Sequence, residues 1–408
     1  MATILSSLPD AQSPAALAAL APRPPAVLRR MLSLGDFEEA ARRRLPRPIF
    51  GYIAGAAEDN VSLRDNRKVF DEYGFTTRVL CDVSQRSQAV ELFGERYSSP
   101  FGIAPMGINA LSTYRGDLVL ARAAQRAGIA SVLSATSLIP LEEVARESPG
   151  TWFQAYLPGD QARIDALIDR VAHAGFRTLV VTVDIPISAN RENNIRTGFS
   201  TPLKPSLRLA WDGMVRPRWV AGTLLRTLLH HGMPHFENSF ATRGAPIVSS
   251  SVLRDFSARD HLSWRHIEAI RRRWKGPLVV KGILSVEDAL KARHAGADGV
   301  VLSNHGGRQL DGAVSAMRIL EAVVAALGPC YPVLIDGGFR RGSDVLKALA
   351  LGARMVLVGR PFNYAAAVAG EAGVLHAIAL LRDEIDRNLA MLGAKRCQEI
   401  GPQHIVRR

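Results

Sequence analysis

Residues 277–304, PLVVKGILSVEDALKARHAGADGVVLSN, hold a β-branched run, a stretch with apolar residues three and four apart, and a second β-branched run. Such alternation marks a strand–helix–strand unit built around a parallel sheet. Ser285 stands where the helix wants an N-cap, and Gly296 where its C-terminus wants a glycine. The pattern continues outward in both directions. Strands are read at FGIAP (101–105), ASVLS (130–134), WFQAY (152–156), TLVVTVD (178–184), PLVVKGI (277–283), DGVVLSN (298–304), PVLIDGG (332–338) and MVLVGR (355–360). Helical spacing follows at DLVLARAAQRAG (117–128), QARIDALIDRVAHAG (161–175) and GSDVLKALALG (342–352), the last with Ser343 at the expected N-cap. Eight such units predict an α/β fold, a (β/α)8 TIM barrel, within a domain spanning 31–408. One interval breaks the rhythm: a long insertion, 186–262, separates the fourth strand from the fifth.

Hydrophobic residues at 47% and charged residues at 22% exclude disorder of the whole chain. Fifty-one Lys and Arg against 38 Asp and Glu give +13, so the surface attracts anions without choosing among small acids, phosphates, nucleic acid or acidic membrane. Cys81, Cys330 and Cys397 lie far apart with no CxxC pair, which suits a reducing compartment and gives no zinc site. Residues 1–30 are rich in Ala and Pro, and their basic pair follows the apolar part, unlike a secretory signal; a disordered extension is expected there. No apolar run approaches the roughly 20 residues needed to cross a bilayer.

In such a barrel, loops at the C-terminal strand ends converge over the mouth, where chemistry collects. The residues at those ends are polar for apolar strands: Ser134, Gln154, Tyr156, Thr182, Asp184, Lys281, His305, Arg308, Asp336 and Arg360. A histidine just past a strand accepts a proton near neutral pH, and a carboxylate behind it fixes its tautomer and stabilises the imidazolium. Asp184 is placed for that role; the alternative is a His305 that only hydrogen-bonds its own loop. Arg308 and Arg191 suit a bidentate grip on a carboxylate, with Tyr52 and Tyr156 as hydroxyl donors. For Arg191, in ANRENN, a surface salt bridge is the competing reading. Strands seven and eight end in DGGFRRG and VGR, where glycines admit backbone N–H groups and Arg340 or Arg360 adds charge for a phosphate, although DGG alone is commonly a turn. Lys281 would place a positive charge inside the mouth, where burial calls for an anionic partner. Metal-ligand spacing and a nucleophile elbow are both absent. A phosphorylated organic cofactor, a carboxylate-bearing substrate and redox chemistry fit this set.

From about Asp36 to the C-terminus the chain resembles the FMN-dependent 2-hydroxy-acid dehydrogenases and oxidases, a family that includes glycolate oxidase, L-lactate dehydrogenase and (S)-mandelate dehydrogenase. SNHGGRQ (303–309) is the most specific stretch, and FGYIAGAAEDN, FQAY, TVDIP, VVKGI, DGGFRRGSDVLKALALGA and GRP fall in the family's order. The resemblance implies FMN, and oxidation of an (S)-2-hydroxy acid such as L-lactate or mandelate to the 2-oxo acid. It implies His305 as base with Asp184 as its orienting partner, and Tyr52, Tyr156, Arg191 and Arg308 as substrate contacts. Lys281 would stabilise the reduced flavin at its N1 and O2 edge. Ser134, Gln154 and Thr182 would bond the flavin ring, and Asp336, Gly337, Gly338, Arg340, Gly359 and Arg360 the ribityl and phosphate. Ala104, Pro105, Met106, Gly107 and Ser303 complete the implied cofactor set, and a homotetramer is implied as well. The family often has Pro-Thr at the end of the first strand; here Pro105, Met106 and Gly107 leave only backbone contacts to carry over. Gly107 is expected to open space beside the reactive edge of the flavin, as in the dehydrogenase branch.

The segment SLRLAWDGMVRPRWVAGTLLRTLLHHGMPHF (206–236) is apolar but broken by Arg226. It either lies in a membrane interface with arginines toward acidic headgroups, or packs as an amphipathic lid. Its resemblance to the membrane-associated mandelate and lactate dehydrogenases implies a peripheral enzyme on the cytoplasmic membrane face with a quinone or cytochrome acceptor. An oxidase that releases hydrogen peroxide is the close rival. A nucleic-acid binder is disfavoured, because no aromatic-basic platform for bases is visible.

Overall fold

The computed structural model describes residues 25–200, 202–203, 206–249 and 259–408. Eight parallel strands close into a barrel: β1 (Phe101–Ile103), β2 (Ala130–Ser134), β3 (Trp152–Tyr156), β4 (Leu179–Thr182), β5 (Leu278–Ile283), β6 (Gly299–Leu302), β7 (Val333–Asp336) and β8 (Met355–Val358). Each pairs with its sequence neighbour, and β8 pairs with β1 to close the ring. Their continuous apolar runs are what a parallel strand needs, since the interior covers one face and helices the other. Val300, Val301 and Leu302 of β6 are all fully buried. The expected strands each contain an observed one, trimmed by up to two residues at an end.

The intervening helices lie where the spacing places them, at Gly116–Ala127, Gln161–His173, Val286–His294 and Gly342–Ala350. Ser285 caps its helix by accepting the Asp288 N–H at 3.1 Å. Ser343 does not cap: it sits inside a helix that already begins at Gly342, and the Asp344 carboxylate accepts the N–H groups of Arg340 and Arg341 at 2.9 and 3.0 Å. Of the extension expected over 1–30, the first 24 residues lie outside the described chain. The boundary comes earlier than expected, because Ala26–Arg30 forms a 3-10 turn with Leu28 buried. The helix Arg360–Met391 has the length and apolarity of a membrane span, but it bends at Ala369 and Gly370 and packs Phe362, Tyr364, Ile378 and Ile385 into the core.

Three N-terminal helices, Asp36–Arg44, Arg47–Ala54 and Val61–Lys68, belong to no βα unit. The last reaches the loops after β6 and β7. Asn66 and Asn304 exchange amide hydrogen bonds of 2.8 and 3.0 Å in a buried reciprocal pair. Gly307 (φ +75) approaches the Leu63 backbone, where a Cβ would lie 2.7 Å from its nitrogen, and a Cβ on Gly338 (φ +81) would collide with the Asn66 carbonyl oxygen.

Gly338 and Gly312 have nearly the same backbone, φ +81 and +83, but Gly312 has open space where a side chain would go. Gly312→Ala should therefore cost only the left-handed strain of about 1–2 kcal/mol. Gly338→Ala should add an overpacking cost of about 1–3 kcal/mol. Urea unfolding of the two variants checks this; equal midpoints would show that the helix Val61–Lys68 does not press on the β7 loop as described.

Candidate active site

The mouth of the barrel opens into a cavity of about 620 Å³. His305 follows β6 and adopts a left-handed backbone at φ +57, with Gly306 and Gly307 left-handed after it. Three such residues in a row turn the chain sharply, and the two glycines allow the crowding that results: a Cβ on Gly306 would lie 2.9 Å from an Arg360 nitrogen. The Ser303 hydroxyl accepts the His305 N–H at 2.9 Å and fixes the turn. Non-glycine strain of this kind persists only where the surroundings impose it.

His305 Nδ1 lies 2.9 and 3.1 Å from the two Asp184 carboxylate oxygens. The register between β5 and β6 shifts between Lys281 and Ile283, with Gly282 (φ +105) at the irregularity and Asp184 so close that a Cβ there would sit 2.7 Å from its carboxyl carbon. Burial lowers the His305 pKa, against the Asp184 charge that raises it, so the ring is neutral at neutral pH. Burial would raise the Asp184 pKa, but the charge and hydrogen bond of His305, with Lys281, hold it below its ordinary value. With Nδ1 on the carboxylate, Nε2 is the basic atom on the cavity wall, and the Tyr156 hydroxyl stands 3.5 Å from it. Burial, then Asp184 and Tyr52, push the Tyr156 hydroxyl pKa up, keeping it a neutral donor.

Arg308 is clamped from behind by the carbonyls of Tyr52 and Gly55, each at 2.7 Å, and lies 4.8 Å from the centroid of the Tyr52 ring. Arg191 donates to the Arg308 carbonyl at 3.0 Å and to the Gln309 side chain. It is a cavity residue rather than a surface ion pair. Burial first, and then Arg191, bring the Arg308 pKa down to about 9. Both guanidinium groups are thus crowded and partly desolvated, a setting that favours a bound carboxylate.

Across the mouth, Arg340 and Arg360 line the cavity beside Gly337, Gly338 and Gly359. Burial and the neighbouring Arg360 bring Arg340 down to about 10. Arg360 is held by the carbonyls of Ile53, Gly55 and Gly306 at 3.0 Å. Glycine backbone and two buried cations together fit a phosphate group. Lys281 has an anionic partner within the chain: its ammonium lies 2.8 Å from Asp336 Oδ2 and donates to Ser303 at 2.7 Å. Gln154 Nε2, Thr182 Oγ1 and Asp336 Oδ1 are buried without a hydrogen-bond partner among the described residues. Buried polar atoms are rarely left so. A flat cofactor with polar edges and a phosphate tail would satisfy Thr182 and Asp336, which line the cavity.

Of the residues expected from sequence, Tyr52, Ala104, Pro105, Met106, Gly107, Tyr156, Thr182, Arg191, Lys281, His305, Arg308, Asp336, Gly337, Gly338, Arg340, Gly359 and Arg360 all line this cavity. Asp184 stands behind His305. Ser134, Gln154 and Ser303 are buried but off the cavity wall, with Ser134 donating to Gln154 at 3.1 Å and contacting Thr136, which does line it. Gly107 does not open free space: a Cβ there would collide with the Thr136 hydroxyl, so the glycine serves close approach. Sequence reasoning did not find Ile195, Phe199, Phe236, Ile247 and Arg259, which the insertion brings to the cavity. Their spacing carries no periodic signal.

The geometry agrees with the comparisons. The FMN-dependent dehydrogenase family matches residues 41–407. The chain is 39% identical over 376 residues to (S)-mandelate dehydrogenase of Pseudomonas putida, covering 92% of this chain and 94% of that one. It is 38% identical over 378 residues to an L-lactate dehydrogenase of Azorhizobium caulinodans, covering 92% and 98%. A crystal structure described as the monotopic membrane protein (S)-mandelate dehydrogenase superposes with a TM-score of 0.86 at 39% identity, covering 93% of this chain and all of that one. Because the match takes in all eight strands together with the N-terminal helix that carries Tyr52, this chain belongs to the FMN-dependent dehydrogenase family.

Proposed function

We propose that the protein oxidises an (S)-2-hydroxy acid, lactate-like or mandelate-like, to the 2-oxo acid and passes the electrons to a quinone or cytochrome. The single observation that carries this reading is His305, with Nδ1 on Asp184 and Nε2 at a cavity wall that also presents Arg308 and Arg191. FMN, held by Arg340, Arg360 and the β7 and β8 glycines, supplies the two-electron acceptor when bound. The chain's own residues do the rest. Arg308 and Arg191 hold the substrate carboxylate, and Tyr52 and Tyr156 orient its hydroxyl. His305 Nε2 takes the hydroxyl proton, and Asp184 stabilises the imidazolium that results. Lys281 supplies a fixed positive charge at the end of β5.

The membrane reading is supported by the insertion. Its segment 206–236 has one face docked on the barrel: Trp219 is buried and donates to the Leu111 carbonyl at 2.7 Å. Arg226 is exposed and lies 4.0 Å from the Tyr114 ring centroid. The other face exposes Leu207, Trp211, Met214 and Leu229 at 93, 62, 67 and 81%. Leu207, Trp211 and Met214 recur on one face of the helix Leu207–Met214, and exposed apolar side chains of this kind fit a monotopic, interfacial placement; the similar (S)-mandelate dehydrogenase is described as monotopic. A cytoplasmic orientation and a homotetrameric assembly belong to the same proposal.

His305→Gln should lower kcat with a 2-hydroxy acid by about 10²- to 10⁴-fold while the protein still binds FMN. A loss of only a few-fold would remove His305 as the base.

The base must be neutral, so kcat/KM should fall on acidification, with a midpoint below the ordinary imidazole value because burial lowers that pKa. Asp184 raises the His305 pKa, so Asp184→Asn should move the acid limb to still lower pH and reduce kcat. A limb that moves upward would contradict the assigned pair.

Flotation with anionic phospholipid vesicles tests the surface. Wild-type protein should float and the Trp211→Asp, Leu229→Asp double variant should stay below, with dye-linked turnover retained. Wild-type protein that stays wholly soluble and reoxidises rapidly with dioxygen would favour the oxidase.

A further inference from the structure

Lys281, Arg340 and Arg360 serve the cofactor side of the cavity, and Arg191 and Arg308 the substrate carboxylate. Arg259 serves neither. It enters from the end of the insertion, is 8% exposed, and lines the same cavity. Its guanidinium lies 5.2 Å from the centroid of the Tyr156 ring, and the Tyr156 hydroxyl is 3.5 Å from His305 Nε2. One aromatic ring therefore separates this cation from the reacting position. The insertion also brings the apolar Ile195, Phe199, Phe236 and Ile247 and the uncharged polar Asn190 and Asn194 to the cavity wall.

A cation in a half-enclosed cavity, beside uncharged wall residues, discriminates by charge. Its desolvation is already met in the folded protein, and burial lowers its pKa. An anion brought against it gains a charge-assisted hydrogen bond in a site of low dielectric. An apolar tail gains only van der Waals contact there.

We propose that Arg259 is a specificity-determining residue that selects 2-hydroxy acids whose side chain carries a second anionic group, such as a distal carboxylate. This deepens, and rests on, the reading of the site as a 2-hydroxy-acid dehydrogenase. The competing role is a cation–π brace that positions Tyr156. A brace would affect every substrate alike, whereas a selector acts on one class.

Two pairs of substrates separate these roles in the FMN-loaded enzyme with a dye acceptor: (S)-2-hydroxyglutarate against (S)-2-hydroxyhexanoate, and 4-carboxymandelate against 4-methylmandelate. In at least one pair the wild type should prefer the anionic tail by about 10- to 100-fold in kcat/KM, the range expected of one charge-assisted bond. Arg259→Met should reduce that preference at least tenfold, mainly through KM, and Arg259→Lys should retain most of it. Bound-flavin absorbance verifies that each variant is folded. The proposal is overturned if the wild type shows no preference in either pair, if Arg259→Met keeps the preference, or if it lowers both members of a pair equally. Failure of all four acids to reduce the flavin would overturn the parent reading, and this one with it. Turnover of the neutral acids without an Arg259-dependent preference would overturn this one alone.

Discussion

The last turn of the helix Arg47–Ala54 holds the site together. Its carbonyls have no helical N–H left to accept, and they point toward the barrel mouth carrying the negative end of the helix dipole. Arg308 takes Tyr52 and Gly55, and Arg360 takes Ile53 and Gly55. One carbonyl, that of Gly55, therefore fixes both the guanidinium assigned to the substrate and the one assigned to the phosphate. Cations that would repel one another across the cavity are kept apart at set positions, and Tyr52 on the same turn joins the substrate side. The barrel supplies the walls, but this helix outside the barrel sets the spacing between the two ends of the chemistry.

That arrangement leaves an interior rich in unbalanced charge. One cavity cation, Lys281, is matched locally by Asp336, and the Asp184 carboxylate is held by the neutral His305 ring. Arg308, Arg340 and Arg360 lean on carbonyls, and Arg308 also on the Tyr52 ring, partners that stabilise a cation without neutralising it. Their lowered pKa values follow from burial. A cofactor phosphate and a substrate carboxylate are what such a cavity attracts, so binding and catalysis draw on the same electrostatic feature. The left-handed His305 fits the same logic: strain in the loop aims one nitrogen at a carboxylate and the other at the cavity.

The insertion connects the chamber to the surface. Phe199, Phe236 and Ile247 wall the chamber, while Leu207, Trp211 and Leu229 of the same excursion face outward. The segment that shapes the substrate's side-chain space is thus continuous with the apolar face assigned to the membrane. The face that walls the chamber is what the lid expectation describes, and the outward face is the one on which the proposed interfacial placement rests.

The sequence by itself determined the barrel, because parallel strands buried on both faces must be continuously apolar and the helices between them must repeat at 3.6 residues. It also determined the residues at the strand ends, since position at a barrel's C-terminal rim follows from strand order alone, and SNHGGRQ carried its own resemblance. Tertiary structure alone decided the partners. Asp336 lines the cavity as expected but also pairs with Lys281; Ser134 and Gln154 lie off the cavity wall; Gly107 gives close approach to Thr136 instead of open space. It also decided which insertion residues reach the chamber, Arg259 among them. Periodicity encodes which face of an element is buried, but contacts between segments a hundred residues apart depend on how the loops fold back, and no local spacing records that.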